Sequence, residues 1–153
     1  MTKPDDRLMF LLFTAQQKLR NYLNQSLQED NVRITVPQAG ILFLLKGREN
    51  STMSEIGQLL NLDNSTVTGL ADRLEKAGFL TRNSNPLDRR SSYLNVTPEG
   101  ISEADKAKAV FHRVNSKVKE GFSAEEIEAY KKVLSSFFHK FETARKNQGT
   151  AEQ

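Results

Sequence analysis

Apolar side chains recur with a helical period over residues 5–29, at Leu8, Leu11, Leu12, Ala15, Leu19, Tyr22, Leu23 and Leu27. Such spacing puts them on one face and predicts a helix of about 37 Å, longer than the average in a compact domain. The polar break EDNVRITV ends it. Pro37 suits the first turn of a second helix, which runs through Ala39, Ile41, Leu42, Leu44 and Leu45 to Gly47. Thr52 and Glu55 form a capping box, T-x-x-E, that opens a short helix through Ile56, Leu59 and Leu60. Asn61, Leu62 and Asp63 then make a turn, and Asp63 or Asn64 caps the next helix. In that helix Val67, Leu70, Ala71 and Leu74 share the apolar face; Ser65, Thr66, Gly69, Asp72, Arg73 and Lys76 share the other, with Thr68 near its edge. Gly78 ends it as a C-terminal cap.

From Phe79 the period changes. FLTRN and SSYLNV read as two short strands joined by SNPLDRR, in which Asn85, Pro86 and Asp88 are turn formers. A lone two-stranded ribbon is marginal in water, so it must pack on the helices before it, through Leu80, Leu94 and Val96. Thr97, Pro98 and Glu99 then supply an N-cap, a proline at the first helical position and an acid in the first turn. The helix they start carries Ile101, Ala104, Ala107, Phe111, Val114 and Val118. Gly121 breaks it, and Ser123 with Glu126 repeats the capping box before a last helix bearing Ile127, Tyr130, Val133, Leu134, Phe137, Phe138 and Phe141.

Residues 54–77 have the parts of a helix-turn-helix: a short first helix, a turn of about three residues and a second helix with small polar residues near its start. A plain helical hairpin with a wet polar face has the same parts. The ribbon that follows distinguishes them, because it makes a winged helix whose turn lies beside the second helix. Small side chains such as Ser65, Thr66 and Thr68 let a helix end approach base edges and donate to phosphates, and the exposed N–H groups of a helix start favour an anion. Arg89 and Arg90 at the ribbon turn suit an adjacent minor groove, and Asp88 can hold one of them by a charge-assisted pair.

Composition narrows the partners. The 153-residue chain has 22 Lys and Arg against 19 Asp and Glu, a formal charge of +3, and the segment 54–100 is not its basic part. Bulk charge therefore predicts only weak attraction to nucleic acid, and the case rests on where individual arginines sit. No cysteine is present, which excludes disulfides, thiolate metal sites and thiol redox sensing. No apolar run approaches the ~18 residues of a membrane helix, and the acidic start MTKPDDRLMF does not suit a signal peptide; the expected location is cytoplasmic. His112 and His139 lie far apart, and no metal-ligand spacing or nucleophile–base pairing points to an enzyme.

STVTGLADRLEKAGFLTR followed by DRRSSYLNVTPEG resembles the MarR family of winged-helix transcription regulators, through Leu74, Glu75, Gly78, Arg82, Asp88, Arg90, Leu94, Val96, Thr97 and Gly100. The resemblance implies a mainly α fold with a small β-ribbon, a winged helix-turn-helix flanked by N- and C-terminal dimerisation helices. The divisions it suggests are an N-terminal dimerisation helix (1–35), a DNA-binding domain (36–97), C-terminal dimerisation helices (98–147) and a disordered tail (148–153). It implies a homodimer on a palindromic double-stranded DNA operator, a repressor released by a small aromatic or phenolic ligand, with no cofactor. Ser65, Thr66, Thr68, Gly69 and Arg73 map to the recognition helix, and Asp88, Arg89 and Arg90 to the wing. Gly69 departs from relatives that carry a longer residue there, so Arg73 is expected to contact mainly phosphate.

Independently of the family, Tyr130, Leu134, Phe137, Phe138 and Phe141 make a broader apolar surface than one helix buries easily, which points to a second chain. Packing against Leu8 to Leu27 of the same chain is the competing arrangement. Phe10, Phe13, Ile41, Phe43 and Phe111 are candidates to border a ligand pocket, although aromatics at helical spacing also serve as plain core. A winged-helix module that binds protein rather than DNA is the alternative function.

Overall fold

The structure, a computed structural model, describes residues 7–148, with side chains through Glu142. Its elements follow in the order α1 (Leu8–Glu29), α2 (Val36–Lys46), β1 (Ser51–Thr52), α3 (Met53–Leu60), α4 (Asn64–Lys76), β2 (Leu80–Ser84), β3 (Ser92–Val96), α5 (Pro98–Lys119) and α6 (Ala124–Gln148). The mainly helical winged-helix architecture expected from the sequence is the one observed. Of the expected first helix, Asp5 and Asp6 lie outside the described residues. So does all of the expected tail except Gln148, which closes α6.

Side-chain caps set the helix starts. Thr52 accepts the Glu55 N–H at 3.2 Å while Glu55 accepts the Thr52 N–H at 2.8 Å, and Ser123 and Glu126 repeat the exchange at 3.2 and 2.8 Å. A third capping box, Thr35 with Gln38, opens α2; there the Thr35 N–H donates to Gln38 Oε1 at 2.8 Å. Each satisfies donors that a helix start leaves orphaned.

One correction concerns the ribbon. The sheet has three antiparallel strands in the order β1-β3-β2, with Ser51 opposite Leu94 and Thr52 opposite Tyr93 on one side of β3. On the other side Leu80 faces Val96, Arg82 faces Leu94 and Ser84 faces Ser92. A two-residue strand has no alternation to betray it, so β1 is silent in the sequence.

Because β1 ends at Thr52, the N-cap of α3, the wing is tied directly to the helix-turn-helix. Behind the sheet, Ile41, Leu42 and Leu45 of α2, Ile56 of α3, Val67, Ala71 and Leu74 of α4, and Leu80 and Leu94 share one buried core with Ala104, Ala107 and Val110 of α5. Each large side chain in it contributes about 1.5–3 kcal/mol of burial. The buried face of α5 differs from the expected stripe. Val110 and Glu103 are buried, Ile101 and Phe111 are half-buried, and Val118 is exposed.

At the junction of wing and α5, Thr97 Oγ1 donates to the Gly78 carbonyl at 2.6 Å and accepts the Gly100 N–H at 3.0 Å. A Cβ on Gly100 would stand 2.0 Å from the Phe79 carbonyl oxygen, so the close approach of α5 to that backbone requires glycine.

The chain divides within α5 into two compact units, the first closing at Val114 and the second opening at Asn115. In the first, α1 leaves Leu8, Met9, Phe10, Leu11 and Phe13 exposed. In the second, Gly121 breaks the chain at φ +83°. Phe122, Tyr130, Val133, Phe138 and Phe141 are exposed there, and Phe137 meets Phe141 edge-to-face at 5.6 Å.

Candidate nucleic-acid interface

The start of α4 is capped by Asp63, the first of the two residues the sequence offered. Its carboxylate accepts the Thr66 N–H at 2.7 Å, the Ser65 hydroxyl at 2.7 Å and the Thr66 hydroxyl at 3.0 Å. Led by the Ser65 hydroxyl, these donors lower the Asp63 pKa to about 2.

This cap sets which polar groups the helix start leaves open. The Asp63 carboxylate stands at the helix start and takes the Thr66 N–H, so the first turn already carries a compensating negative charge. The hydroxyls of Ser65 and Thr66 spend their single protons on Asp63, and that of Thr68 donates to the Asn64 carbonyl at 2.7 Å. All three hydroxyls are thus engaged as donors within the helix, and their oxygens remain acceptors.

Val67, Ala71 and Leu74 hold α4 against the core, which leaves Ser65, Thr66, Gly69 and Arg73 exposed and Thr68 half-buried at the edge. Nothing lies within 4 Å of where a Gly69 Cβ would be, so this position is an open gap in the helix face. The acidic groups of the same helix are engaged elsewhere. Arg82 on β2 is hydrogen-bonded to Asp72, and its Nε lies 3.2 Å from Glu75 Oε2, which fastens the wing strand to α4. Arg82, part of the sequence motif, thus acts inside the protein.

The wing turn, residues 85–91, is built on two side chains. Asp88 Oδ1 accepts the backbone N–H of Arg90 at 2.9 Å, so the acid shapes the turn through the main chain, and no ion pair joins it to either arginine among the described residues. Asn85 is buried, accepting the Leu87 N–H at 2.9 Å and donating to Ser91 Oγ at 2.8 Å. Leu87, Arg89 and Arg90 are exposed. A cleft of about 440 Å³ separates this turn from the starts of α3 and α4, bordered by Thr52, Ser54, Asn64, Thr68 and Arg90. Recognition helix and wing thus flank one concave surface. Sequence reasoning identified Asn85 as a turn former but not as the buried anchor of the loop; the Asn-Pro pair was the available signal.

The sequence model of the MarR family matches residues 34–92, from the α1–α2 connection through the wing turn to the first residue of β3. An organic hydroperoxide resistance transcriptional regulator of Bacillus subtilis (strain 168) is 32% identical over 105 residues, 69% of this chain and 70% of that protein. The chain belongs to the MarR family. It is accordingly a winged-helix, DNA-binding transcriptional regulator.

The fold agrees with solved MarR-type structures. CouR from Rhodococcus jostii RHA1, crystallised with p-coumaroyl-CoA, superposes with a TM-score of 0.74 at 25% identity, covering 90% of this chain and 95% of that one. The transcriptional repressor CouR on a 23-mer DNA duplex gives 0.78 at 24% identity, covering 85% and 91%.

Within this MarR chain the five residues expected to border a ligand pocket fall in different surroundings. Ile41 is fully buried in the core, Phe43 and Phe111 meet edge-to-face at 5.7 Å, and Phe10 and Phe13 are exposed along α1. Helical periodicity put them on apolar faces without saying which faces meet.

Proposed function

We infer that the chain is a homodimeric, sequence-specific repressor that reads a palindromic operator with α4 in the major groove and the wing in the minor groove, and that a small ligand releases it. One observation carries the DNA contact. Among the described residues Arg73, Arg89 and Arg90 have no carboxylate partner, whereas Arg82 nearby is held by Asp72 and Glu75. A cation left unpaired on the exposed side of a winged helix is available to phosphate and to the narrow minor groove. Ser65, Thr66 and Thr68 supply acceptors at base edges, Arg73 a phosphate contact, and Arg89 and Arg90 the wing contact shaped by Asp88.

The dimer is supported by the apolar side chains that α1 and α6 leave exposed in the single chain, Leu8 to Phe13 on the one and Tyr130 to Phe141 on the other. For the ligand, the support is the likeness to CouR and a groove of about 410 Å³ bordered by Gln16, Leu19, Arg20, Leu23, Gly40 and Leu60. Its apolar walls and the Arg20 guanidinium suit an aromatic acid. Such a ligand acts only by binding the two spacings of paired recognition helices unequally, one of which matches major grooves about 34 Å apart. With no cysteine in the chain, thiol oxidation is not the signal.

Selection of bound fragments from the source genome, followed by salt titration, tests the reading. Affinity falls steeply with salt, and Arg90→Ala costs ~1–3 kcal/mol per site. Binding that is insensitive to salt and unchanged by Arg90→Ala in a folded protein overturns it. Aromatic acids titrated into the complex test release, and an Arg20→Ala variant that releases as readily as the parent removes the groove from the account.

A further inference from the structure

The wing turn is closed on itself before any DNA arrives. Asn85, 8% exposed, uses its side-chain amide and its main-chain carbonyl within the loop. Its Oδ1 accepts the Leu87 N–H at 2.9 Å, its Nδ2 donates to Ser91 Oγ at 2.8 Å, and its carbonyl accepts the Asp88 N–H at 3.3 Å. Ser91 returns the connection, since its N–H donates to the Asp88 carbonyl at 3.1 Å and its hydroxyl to the same oxygen at 3.4 Å. Asp88 Oδ1 then takes the Arg90 N–H at 2.9 Å. The amides of Leu87, Asp88, Arg90 and Ser91 are all satisfied inside a loop whose surface side chains are long and exposed.

We propose that Asn85 is a positioning residue for DNA binding: clamped to Ser91 across the base of the turn, it holds the backbone of Leu87 to Arg90 in the presented conformation in the free protein. The physical reason is entropic. Fixing a residue's backbone costs conformational entropy, and an ordered loop has met that cost on folding instead of on binding. A buried amide bonded through both its oxygen and its nitrogen is also a sharper constraint than the exposed turn residues Pro86 and Asp88 supply alone. The charge that attracts DNA belongs to Arg89 and Arg90; Asn85 acts through them. The effect on affinity rests on the DNA-binding reading above, whereas the order of the free wing does not.

The test therefore has two arms on the intact full-length chain. Backbone ¹⁵N relaxation of the free protein compares parent, Asn85→Ala, Ser91→Ala and the double variant. The amide order parameters of Leu87, Arg89 and Arg90 drop from about 0.85 toward 0.6 or less in Asn85→Ala. Ser91→Ala loosens them less, because the Leu87 N–H still has Asn85 Oδ1, and Ser91→Thr, which keeps the hydroxyl, restores the parent values.

Binding to a duplex of roughly 30 base pairs, selected from a randomised pool to hold two half-sites, then weakens on the order of tenfold in Asn85→Ala. The slope of log affinity against log salt stays that of the parent, since no phosphate contact is removed. Losses in the double variant are less than additive, as for two residues that act through one contact. Unchanged order parameters in Asn85→Ala overturn the proposal whatever DNA does, and so does a loosened wing with unaltered affinity when Arg90→Ala binds poorly. If Arg90→Ala also binds as the parent does, the DNA-binding role of the wing falls, and the relaxation arm alone decides the clamp.

Discussion

The Arg33 guanidinium lies 4.7 Å from the centre of the Phe79 ring. The same residue's backbone N–H donates to the carboxylate of Glu103, a side chain only 1% exposed. One arginine in the α1–α2 connection thus joins α5 to the residue that leads from the recognition helix into the wing. Lys106 at 3.3 Å supplies a second partner for the buried carboxylate.

Glu103→Ala strands the part-buried Arg33 N–H and empties the space of a fully buried side chain, and is expected to destabilise the protein by ~1–3 kcal/mol. Glu103→Gln retains an acceptor and gives up only ion pairs with solvent-exposed cations, so it costs less than ~1 kcal/mol. Urea unfolding at one fixed protein concentration checks both. Equal losses in the two variants would show that charge, not the hydrogen bond, is what matters.

Gly100→Ala places a methyl group 2.0 Å from the Phe79 carbonyl oxygen and 2.9 Å from Val96 Cγ2. Backbone must move to admit it, and the expected destabilisation is ~1–3 kcal/mol or more. Alanine at Gly69, where the site is open, is the matched control and leaves the unfolding midpoint unchanged or raised. A Gly100→Ala protein as stable as the parent would contradict the close approach.

Asp63 gives the recognition helix an acid-sensitive start. Its folded pKa is depressed, from 3.8 to about 2. The cap's stabilisation is therefore complete above the unfolded value near ~3.9 and is lost as pH falls from there through about 2. Asp63→Asn keeps a capping oxygen but cannot titrate. The stability difference between parent and Asp63→Asn, followed by urea midpoint from neutral pH downward, should shrink across that window. A constant difference would refute the assignment.

Phe138, 77% exposed on α6, is expected to bury in a second copy. Phe138→Glu should weaken self-association by about thirtyfold or more, the loss of a ~2 kcal/mol hot spot. Sedimentation velocity across a concentration series reads it, and a variant that associates as the parent does would move the interface elsewhere.

Local chemistry was the most legible part of the sequence. Thr52 with Glu55, Ser123 with Glu126, Thr97 with Pro98, and the glycines at 78 and 121 mark element ends through short-range bonds that depend on few neighbours. Val67, Ala71 and Leu74 fixed which side of α4 faces outward, and with it the candidate reading face.

What depended on distant partners was not legible. β1 exists only because Leu94 and Tyr93 stand opposite it. Nothing in the apolar spacing of α5 marks Glu103 as buried beside Arg33, and the direction in which Ser65, Thr66 and Thr68 donate is set by Asp63 and the Asn64 carbonyl. Of the set Phe10, Phe13, Ile41, Phe43 and Phe111, the last three pack in or on one core while Phe10 and Phe13 stay exposed, a division that periodicity does not give because it assigns a face to a helix and not a neighbour to a face.

Thr52 is both the last residue of β1 and the first cap of α3. A single threonine is thus the hinge pin between the strand that braces the wing and the helix that braces the reader. The two tools cannot be re-aimed separately without breaking it. The module behaves like a stamp cut from one block: strand, cap and reading helix are set together when the chain folds.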